Sequence, residues 1–290
     1  MEAFEYVAPR TLADAYSLLG NGRRVAALAG GTDLIVQLRE ARRSCDLVLD
    51  LKRIPELRVV TIAADGSLQV GAAAPLADVY EIPEVRRRWP ALVDAASIIG
   101  GTAVQGRASL GGNLCNASPA ADSPPALMVM GARLRIGSAA GTRELPVGEF
   151  FAGPGQNTLL PGELLLEVIV PPMPAHSAAF YHRFIPRNEM DIAVASAGAW
   201  LQVGSDGTIE GARIAIGAVA PTPLMVPAAA QALHGRKAGA EAFALAAQEA
   251  ASAARPITDM RGSAAQRRHL VGVLARRALE RAHQRATEGR

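Results

Sequence analysis

The segment Ala108–Asp122 contains most of the residues of this chain whose types and spacing could bind a ligand. Its adjacent glycines, Gly111 and Gly112, allow the backbone to approach a ligand closely and to adopt positive φ without steric cost. Exposed amide groups in such a turn form a concave, partly positive surface that suits phosphate oxygens. The pattern therefore predicts an anion-binding turn. Short polar side chains surround the glycine pair, namely those of Ser109, Asn113, Asn116, Ser118 and Asp122.

A second glycine turn, Ala29–Leu34, directly follows the apolar run Val25–Leu28. Neither turn extends into G-x-G-x-x-G, and the chain contains no G-x-x-x-x-G-K-[ST] motif, so a P-loop is not expected. A single Gly-Gly pair is most often only a tight turn. Here the pair recurs, each time followed by a polar residue, which favours a ligand. Two separate phosphate-type turns predict a dinucleotide that is held from two sides.

The length and composition of the chain indicate a globular protein of two or more domains. The chain has 290 residues, of which 50% are hydrophobic and 20% charged, so it can bury a sizeable core. At about 150 residues per domain, this length corresponds to roughly two domains. Aromatic residues make up 4% and the net charge is +3, so neither stacking platforms nor a basic footprint for nucleic acid is indicated.

The cysteine count and the hydropathy argue against several other classes. Two cysteines, Cys45 and Cys115, are too few for a disulfide framework or for the four thiolates of an iron–sulfur cluster. The five histidines have no ligand spacing, so no metal site is expected. No apolar run approaches the roughly 18 residues of a membrane span. The acidic N-terminal sequence is unlike a signal peptide, and we expect a cytoplasmic protein.

Residues 1–57 are predicted to form a small α/β unit. Thr11 is a suitable cap for a helix that ends at Leu19, and Val25–Leu28 has the composition of a buried strand. A helix over Leu34–Arg43 and a strand over Asp46–Leu51 follow. The first glycine turn would thereby lie at a helix N-terminus, where anions bind well.

The rest of the chain divides at the proline-rich segment Pro171–Pro174, because consecutive prolines exclude regular strand pairing. Residues 58–174 alternate between strand-like and helix-like patterns and are predicted to form a mixed α/β unit. Residues 175–290 are predicted to form a third domain, with a three-stranded antiparallel sheet followed by helices. Its expected strands are Ser177–Arg183, Ala193–Val203 and Gly211–Val219, and its expected helices are Val226–His234, Ala240–Ala254 and Ser263–Thr287.

The order of these features resembles a known family over nearly the whole chain, the flavin-binding medium subunits of molybdenum hydroxylases. This family includes xanthine dehydrogenase and carbon monoxide dehydrogenase. Each matching motif is weak alone, but six in the right order form a specific pattern. The motifs are Ala29–Leu34, Ser109–Leu114, Asn116–Ser123, Phe150–Gly155, Leu160–Leu165, and Arg187 with Asp191–Ala193.

The resemblance implies an α+β protein that carries FAD. It implies a two-subdomain FAD-binding fold of the vanillyl-alcohol-oxidase (PCMH) type, followed by a C-terminal α+β domain. The diphosphate would be bound by Ala27, Leu28, Ala29, Gly30, Gly31, Thr32, Asp33 and Leu34 on one side, and by Ser109, Gly111, Gly112 and Asn113 on the other.

Four further positions match family residues that lie near the cofactor. Asp122 would accept hydrogen bonds from sugar hydroxyls, although it could also cap the helix that follows. Ile99 and Leu165 would pack near the flavin or adenine rings, although burial in the core explains their apolar character equally well. Arg183 occupies a position near the flavin that is usually lysine in the family.

The resemblance also implies a function and partners. The chain would be the FAD-carrying electron-transfer subunit of a heterotrimeric molybdenum hydroxylase, taking electrons from [2Fe-2S] clusters in a small subunit. A large subunit would carry the molybdenum cofactor, and the trimer would form a dimer of heterotrimers. No catalytic residue is expected in this chain itself. Two alternatives are a self-contained flavin oxidase of the vanillyl-alcohol-oxidase type and a flavin-free assembly subunit. The substrate and the electron acceptor do not follow from the sequence.

Overall fold

The computed structural model describes residues 2–187 and 190–288. The predicted domain ranges also include Met1, Asn188, Glu189, Gly289 and Arg290, which lie outside the described residues. The mixed helix and strand content agrees with the predicted α+β class.

The first part of the chain forms a three-stranded parallel sheet with the strand order β1–β3–β2. The Thr11 hydroxyl accepts a hydrogen bond from the Asp14 amide and caps the first helix, as predicted. All four residues of the central strand β3 are buried. The elements are β1 (Glu5–Val7), α1 (Leu12–Leu19), β2 (Val25–Leu28), α2 (Leu34–Arg39) and β3 (Leu47–Asp50), followed by 3₁₀ helices at Leu51–Arg53 and Pro55–Leu57.

The middle part forms a five-stranded antiparallel sheet covered by short helices. Its strand order is β4–β5–β10–β6–β7, and a separate hairpin pairs β8 with β9. The strands are β4 (Val60–Ile62), β5 (Leu68–Gly71), β6 (Arg133–Ser138), β7 (Gly141–Pro146), β8 (Phe151–Gly153), β9 (Gln156–Asn157) and β10 (Leu164–Val170). The helices are α3 (Leu76–Tyr80), α4 (Pro83–Arg88), α5 (Pro90–Ala96), α6 (Thr102–Gln105), α7 (Leu110–Asn116) and α8 (Ser123–Val129), and a 3₁₀ helix spans Val147–Glu149.

The last part forms an antiparallel sheet with long helices against it. The strand order is β11–β12–β13–β14, and β12 is almost entirely buried. Small alanines at alternate positions of β12 let α11 pack closely on the sheet, and both contribute to one apolar core. The elements are β11 (Ser177–Phe184), β12 (Ala195–Val203), β13 (Ile209–Gly217), β14 (Leu224–Met225), α9 (Pro227–Leu233), α10 (Ala240–Ala253) and α11 (Ala264–Glu288).

The structure corrects three sequence-based expectations. Helix α2 ends at Arg39 rather than Arg43, because Ala41 adopts a positive φ of 55° that no α-helix continues through. The C-terminal sheet has four strands rather than three, since the two-residue strand β14 pairs with β13 at its edge. The segment at Gly111–Gly112 is the first turn of helix α7 rather than an open turn.

Candidate functional site

A cleft with a volume of about 490 Å³ lies between the N-terminal parallel sheet and the middle part of the chain. It brings together nearly all of the residues that the sequence predicted for the cofactor. Those that line it are Ala27, Leu28, Ala29, Gly30, Gly31, Thr32, Asp33, Leu34, Ile99, Ser109, Gly111, Gly112, Asn113 and Leu165. Asp122 and Arg183 are not part of this lining.

The first glycine segment connects β2 to α2. Gly31 has a φ of +77°, a left-handed conformation in which glycine carries no steric penalty. Within the described residues, the amides of residues 30–34 donate to no backbone or side-chain acceptor. Backbone amides of folded proteins are nearly always paired with protein, water or ligand. A row of free amides that lines a cleft is therefore suited to an anionic group.

The second segment is the start of α7. The Ser109 hydroxyl accepts a hydrogen bond from the Gly112 amide at 3.1 Å, which caps the helix. A Cβ atom on Gly111 would lie 2.4 Å from the Ala72 carbonyl oxygen. Glycine is thus needed here because the helix approaches the backbone beyond β5, and not because of a left-handed φ. The Gly111 amide at this helix start donates to no acceptor in the part of the chain that the structure describes, whereas the Leu110 amide faces the Ala74 carbonyl in the bridge between Pro75 and Ser109.

The two glycine segments contact each other. A Cβ atom on Gly30 would lie 2.6 Å from the Arg107 carbonyl oxygen and 2.8 Å from the Ala108 Cα. A Cβ atom on Gly112 would lie 3.8 Å from the Ala29 Cβ. The free amides of the two segments are consequently close enough to bind the same extended anion.

Three charged side chains line the cleft, and one of them is an arginine without an ion-pair partner among the described residues. They are Asp33, Arg43 and Glu163. Arg143 donates to both carboxylate oxygens of Glu163 at 2.7 Å, and these hydrogen bonds lower the pKa of that carboxyl. Burial raises the pKa of Asp33. The Arg43 guanidinium has no ion-pair partner among the described residues, so it is available to an anion in the cleft.

Several cleft residues were not identified from the sequence as cofactor-binding. The Gln37 side-chain amide donates to the side-chain oxygen Oδ1 of Asn116 at 2.8 Å and links α2 to α7 across the cleft. The Asn157 amide donates to the Cys115 carbonyl at 2.9 Å and anchors β9 to the end of α7. These bonds join residues 79 and 42 positions apart, so local patterns do not reveal them. Burial raises the pKa of the Cys115 thiol to about 12, as expected for a small apolar side chain and not a redox thiol.

Asp122 and Arg183 form a buried ion pair behind one wall of the cleft. The Asp122 carboxylate accepts from Arg183 Nη1 and from the Tyr181 hydroxyl, both at 2.6 Å. Burial raises the pKa of Asp122 to about 6, against the opposing effects of Arg183 and Tyr181. Arg183 Nη2 also donates to the Ile98 carbonyl at 2.8 Å, next to the cleft residue Ile99. The Asp122 side chain caps no helix amide, so the helix-cap interpretation is wrong.

Together, the mixed fold and the amide-lined cleft define a dinucleotide-binding protein. Residues 2–173 match the family model described as "FAD binding domain in molybdopterin dehydrogenase". Residues 180–282 match a second model, described as "CO dehydrogenase flavoprotein C-terminal domain". The chain belongs to this family, the FAD-binding subunits of molybdenum hydroxylases, and its cofactor is FAD.

Relatives of known name and structure agree with this assignment. The chain is 32% identical over 273 residues to the xanthine dehydrogenase FAD-binding subunit of Escherichia coli O157:H7. The aligned region covers 94% of this chain and 93% of that relative. It superimposes on carbon monoxide dehydrogenase from Hydrogenophaga pseudoflava with a TM-score of 0.94 and 32% identity, covering 98% of both chains. For quinoline 2-oxidoreductase from Pseudomonas putida 86, the TM-score is 0.92 and the identity 29%, again covering 98% of both chains.

These relatives are parts of molybdenum-containing dehydrogenases. Their names therefore favour the interpretation of this chain as an electron-transfer subunit over that of a self-contained oxidase. Among residues 2–187 and 190–288, no helix is long and apolar enough to cross a membrane. The same residues contain no group of three or more His, Cys, Asp or Glu side chains that could hold a metal ion.

Proposed function

We propose that the cleft between the two glycine segments binds FAD, with its diphosphate on the free amides of residues 30–34 and on that of Gly111. The observation that supports this most strongly is that these amides donate to no acceptor among the described residues and that all of these residues line one cleft. Arg43 is placed to offset the diphosphate charge. The volume of about 490 Å³ is in the range of cofactor sites.

The remaining predicted residues are proposed to fix the ring systems and the sugar chain. Ile99 and Leu165 provide apolar contacts in the cleft, where planar rings lose water on binding. Asp122 retains lone pairs beyond those occupied by Tyr181 and Arg183, so a sugar hydroxyl can still donate to it. Arg183 holds the Ile98 carbonyl and thereby fixes the backbone that carries Ile99.

When bound, FAD would supply the redox chemistry, the transfer of electrons from partner iron–sulfur clusters to an external acceptor. The chain itself binds and orients the cofactor. We place the domain limits at 1–57, 58–174 and 175–290. The proposed partners are a [2Fe-2S] small subunit and a molybdopterin large subunit, arranged as a dimer of heterotrimers in the cytoplasm. Both the medium-chain names and the carbon monoxide dehydrogenase structures of the relatives support a multi-subunit complex.

The cleft assignment is tested with Gly112→Val. Gly112 has a helical backbone, and the nearest atom to an added Cβ is the Ser109 hydroxyl at 3.2 Å, so valine adds bulk beside Ala29 without straining φ. We expect a folded protein whose Kd for FAD rises at least tenfold. The matched control is Gly106→Val, at an exposed helix end outside the cleft, where an added Cβ would meet no atom closer than 4.0 Å. Equal FAD affinity in both variants and the parent would contradict the assignment.

The partnership is tested by comparing the chain alone with the chain co-expressed with its genomic neighbours. Alone, it should bind FAD near stoichiometrically, which a flavin-free assembly subunit would not do. It should not oxidise xanthine, carbon monoxide or quinoline. Together with its partners, it should elute as a complex that reduces an acceptor when substrate is added. Substrate oxidation by the isolated chain at the rate of the complex would refute the proposal.

A further inference from the structure

A second hollow, with a volume of about 560 Å³, lies beside the FAD cleft and is lined by residues that the function above does not use. Its wall is shared with the cleft, since Leu51 and Ala73 line the cleft while Lys52 donates from Nζ to the Ala73 carbonyl at 3.1 Å. The residues that line the hollow are Arg10, Lys52, Arg53, Pro55, Arg58 and Val59.

The positive charges of the hollow are not neutralised by the protein. Arg10, Arg53 and Arg58 are exposed, and none of their side chains has a hydrogen bond or ion pair among the described residues. The Asp50 carboxylate, which acts on Lys52, is occupied by other donors. It accepts from the Tyr6 hydroxyl at 2.6 Å and from the Lys52 amide at 2.9 Å. No acidic side chain lines the hollow.

We propose that this hollow is an anion site for a small molecule of the diphosphate class, such as a nucleoside diphosphate. Three guanidinium groups and one ammonium line one concavity, with Lys52 and Arg53 in the same 3₁₀ turn, and guanidinium forks match phosphate oxygens in a bidentate manner. Lys52 uses one of its three ammonium donors on Ala73, which leaves two for a phosphate. Pro55 and Val59 add an apolar surface for the organic part of the ligand.

The electrostatic state of Lys52 supports an anion as the missing partner. Burial, followed by the positive charges of Arg107 and Arg58, lowers the pKa of Lys52 to about 8, against the smaller opposing effects of Asp50 and Asp78. A bound diphosphate would reverse this balance and raise the pKa. Binding near pH 8 should therefore take up protons from the solvent.

The test uses the FAD-loaded chain, so that the cofactor cleft is already filled, and titrates inorganic pyrophosphate and ADP by calorimetry. We expect saturable binding that weakens at least tenfold in Arg53→Gln/Arg58→Gln and weakens with added salt. The matched control, Arg268→Gln, removes an exposed arginine of α11 outside the hollow and should leave Kd unchanged. Proton uptake at pH 8, measured in buffers of different ionisation enthalpy, should disappear in Lys52→Met.

Two outcomes would overturn the proposal. One is pyrophosphate binding of equal strength in the parent chain and in the double arginine variant, which would place the anion elsewhere. The other is no pyrophosphate or ADP binding together with weaker association of the double variant with its partner chains. That result would assign the hollow to an acidic protein surface instead.

Discussion

Removing the Asp122 carboxylate tests the most buried ion pair near the cofactor cleft. Its partner Arg183 has a side chain that is 8% exposed, and the two groups are 2.6 Å apart. In Asp122→Ala, the guanidinium stays buried with only the Ile98 carbonyl as a partner, and the Tyr181 hydroxyl loses its acceptor. The variant therefore leaves two buried polar groups uncompensated.

The expected loss in the free energy of unfolding follows from these two buried groups. Breaking one side of a buried ion pair costs about 3–5 kcal/mol, because the remaining charge cannot regain its hydration. Tyr181→Phe removes only the hydrogen bond to the carboxylate and should cost about 1.5–3 kcal/mol. Asp122→Ala/Arg183→Met removes both charges, so it should be more stable than Asp122→Ala alone.

Equilibrium denaturation of the FAD-saturated proteins measures these differences. The matched control is Glu280→Ala, whose ion pair with Arg276 at 2.8 Å is exposed and screened by solvent, so the free energy of unfolding should change little. If Asp122 also binds a sugar hydroxyl, the FAD Kd of Asp122→Ala should rise about 5- to 150-fold. A stability loss below about 1 kcal/mol, or a double variant no more stable than Asp122→Ala, would refute the reasoning from the ion pair.

Three other predictions concern separate sites. Gly111→Ala places a Cβ 2.4 Å from the Ala72 carbonyl oxygen, so it should destabilise the chain by about 1–3 kcal/mol or more and lower FAD content, whereas Gly106→Ala should not. Cys115, with a pKa of about 12, should resist iodoacetamide at pH 8 in the native protein and react only after denaturation, as mass spectrometry of the labelled chain would show. Lys52 has a folded pKa of about 8 against an ordinary value of 10.5, so the unfolded chain binds more protons between these values. The free energy of unfolding should therefore rise from pH 8 to 10.5 relative to Lys52→Met, and a flat difference would contradict the burial of this lysine.

The sequence predicted the elements whose patterns are local. The run Val25–Leu28, the cap Thr11 and the glycine turn before α2 all depend on neighbouring residues, and the structure has them where they were expected. The long C-terminal helices were also predicted to within two residues, because their apolar periodicity extends over several turns.

The parts that the sequence did not predict depend on contacts between distant segments. Gly111 was expected in an open turn, yet its role is set by Ala72 across the sheet, and tertiary packing here overrides the weak helix propensity of glycine. The Asp122 contacts come from residues 59 and 61 positions away on β11. No sequence spacing relates such positions. The motif that contains Asp122 therefore predicted that this residue lies near the cofactor, but it did not predict its hydrogen-bond partners.

Different parts of the chain line the cofactor cleft and pack behind it. Every residue that lines the cleft belongs to the first 165 positions. Arg183 of the C-terminal sheet holds the Ile98 carbonyl behind the cleft residue Ile99. A half-buried ion pair, Arg285 with Asp94 at 2.6 Å, joins α11 to α5. The C-terminal part thus supports the wall of the cleft from behind, so changes in its packing should alter FAD affinity without touching the cofactor.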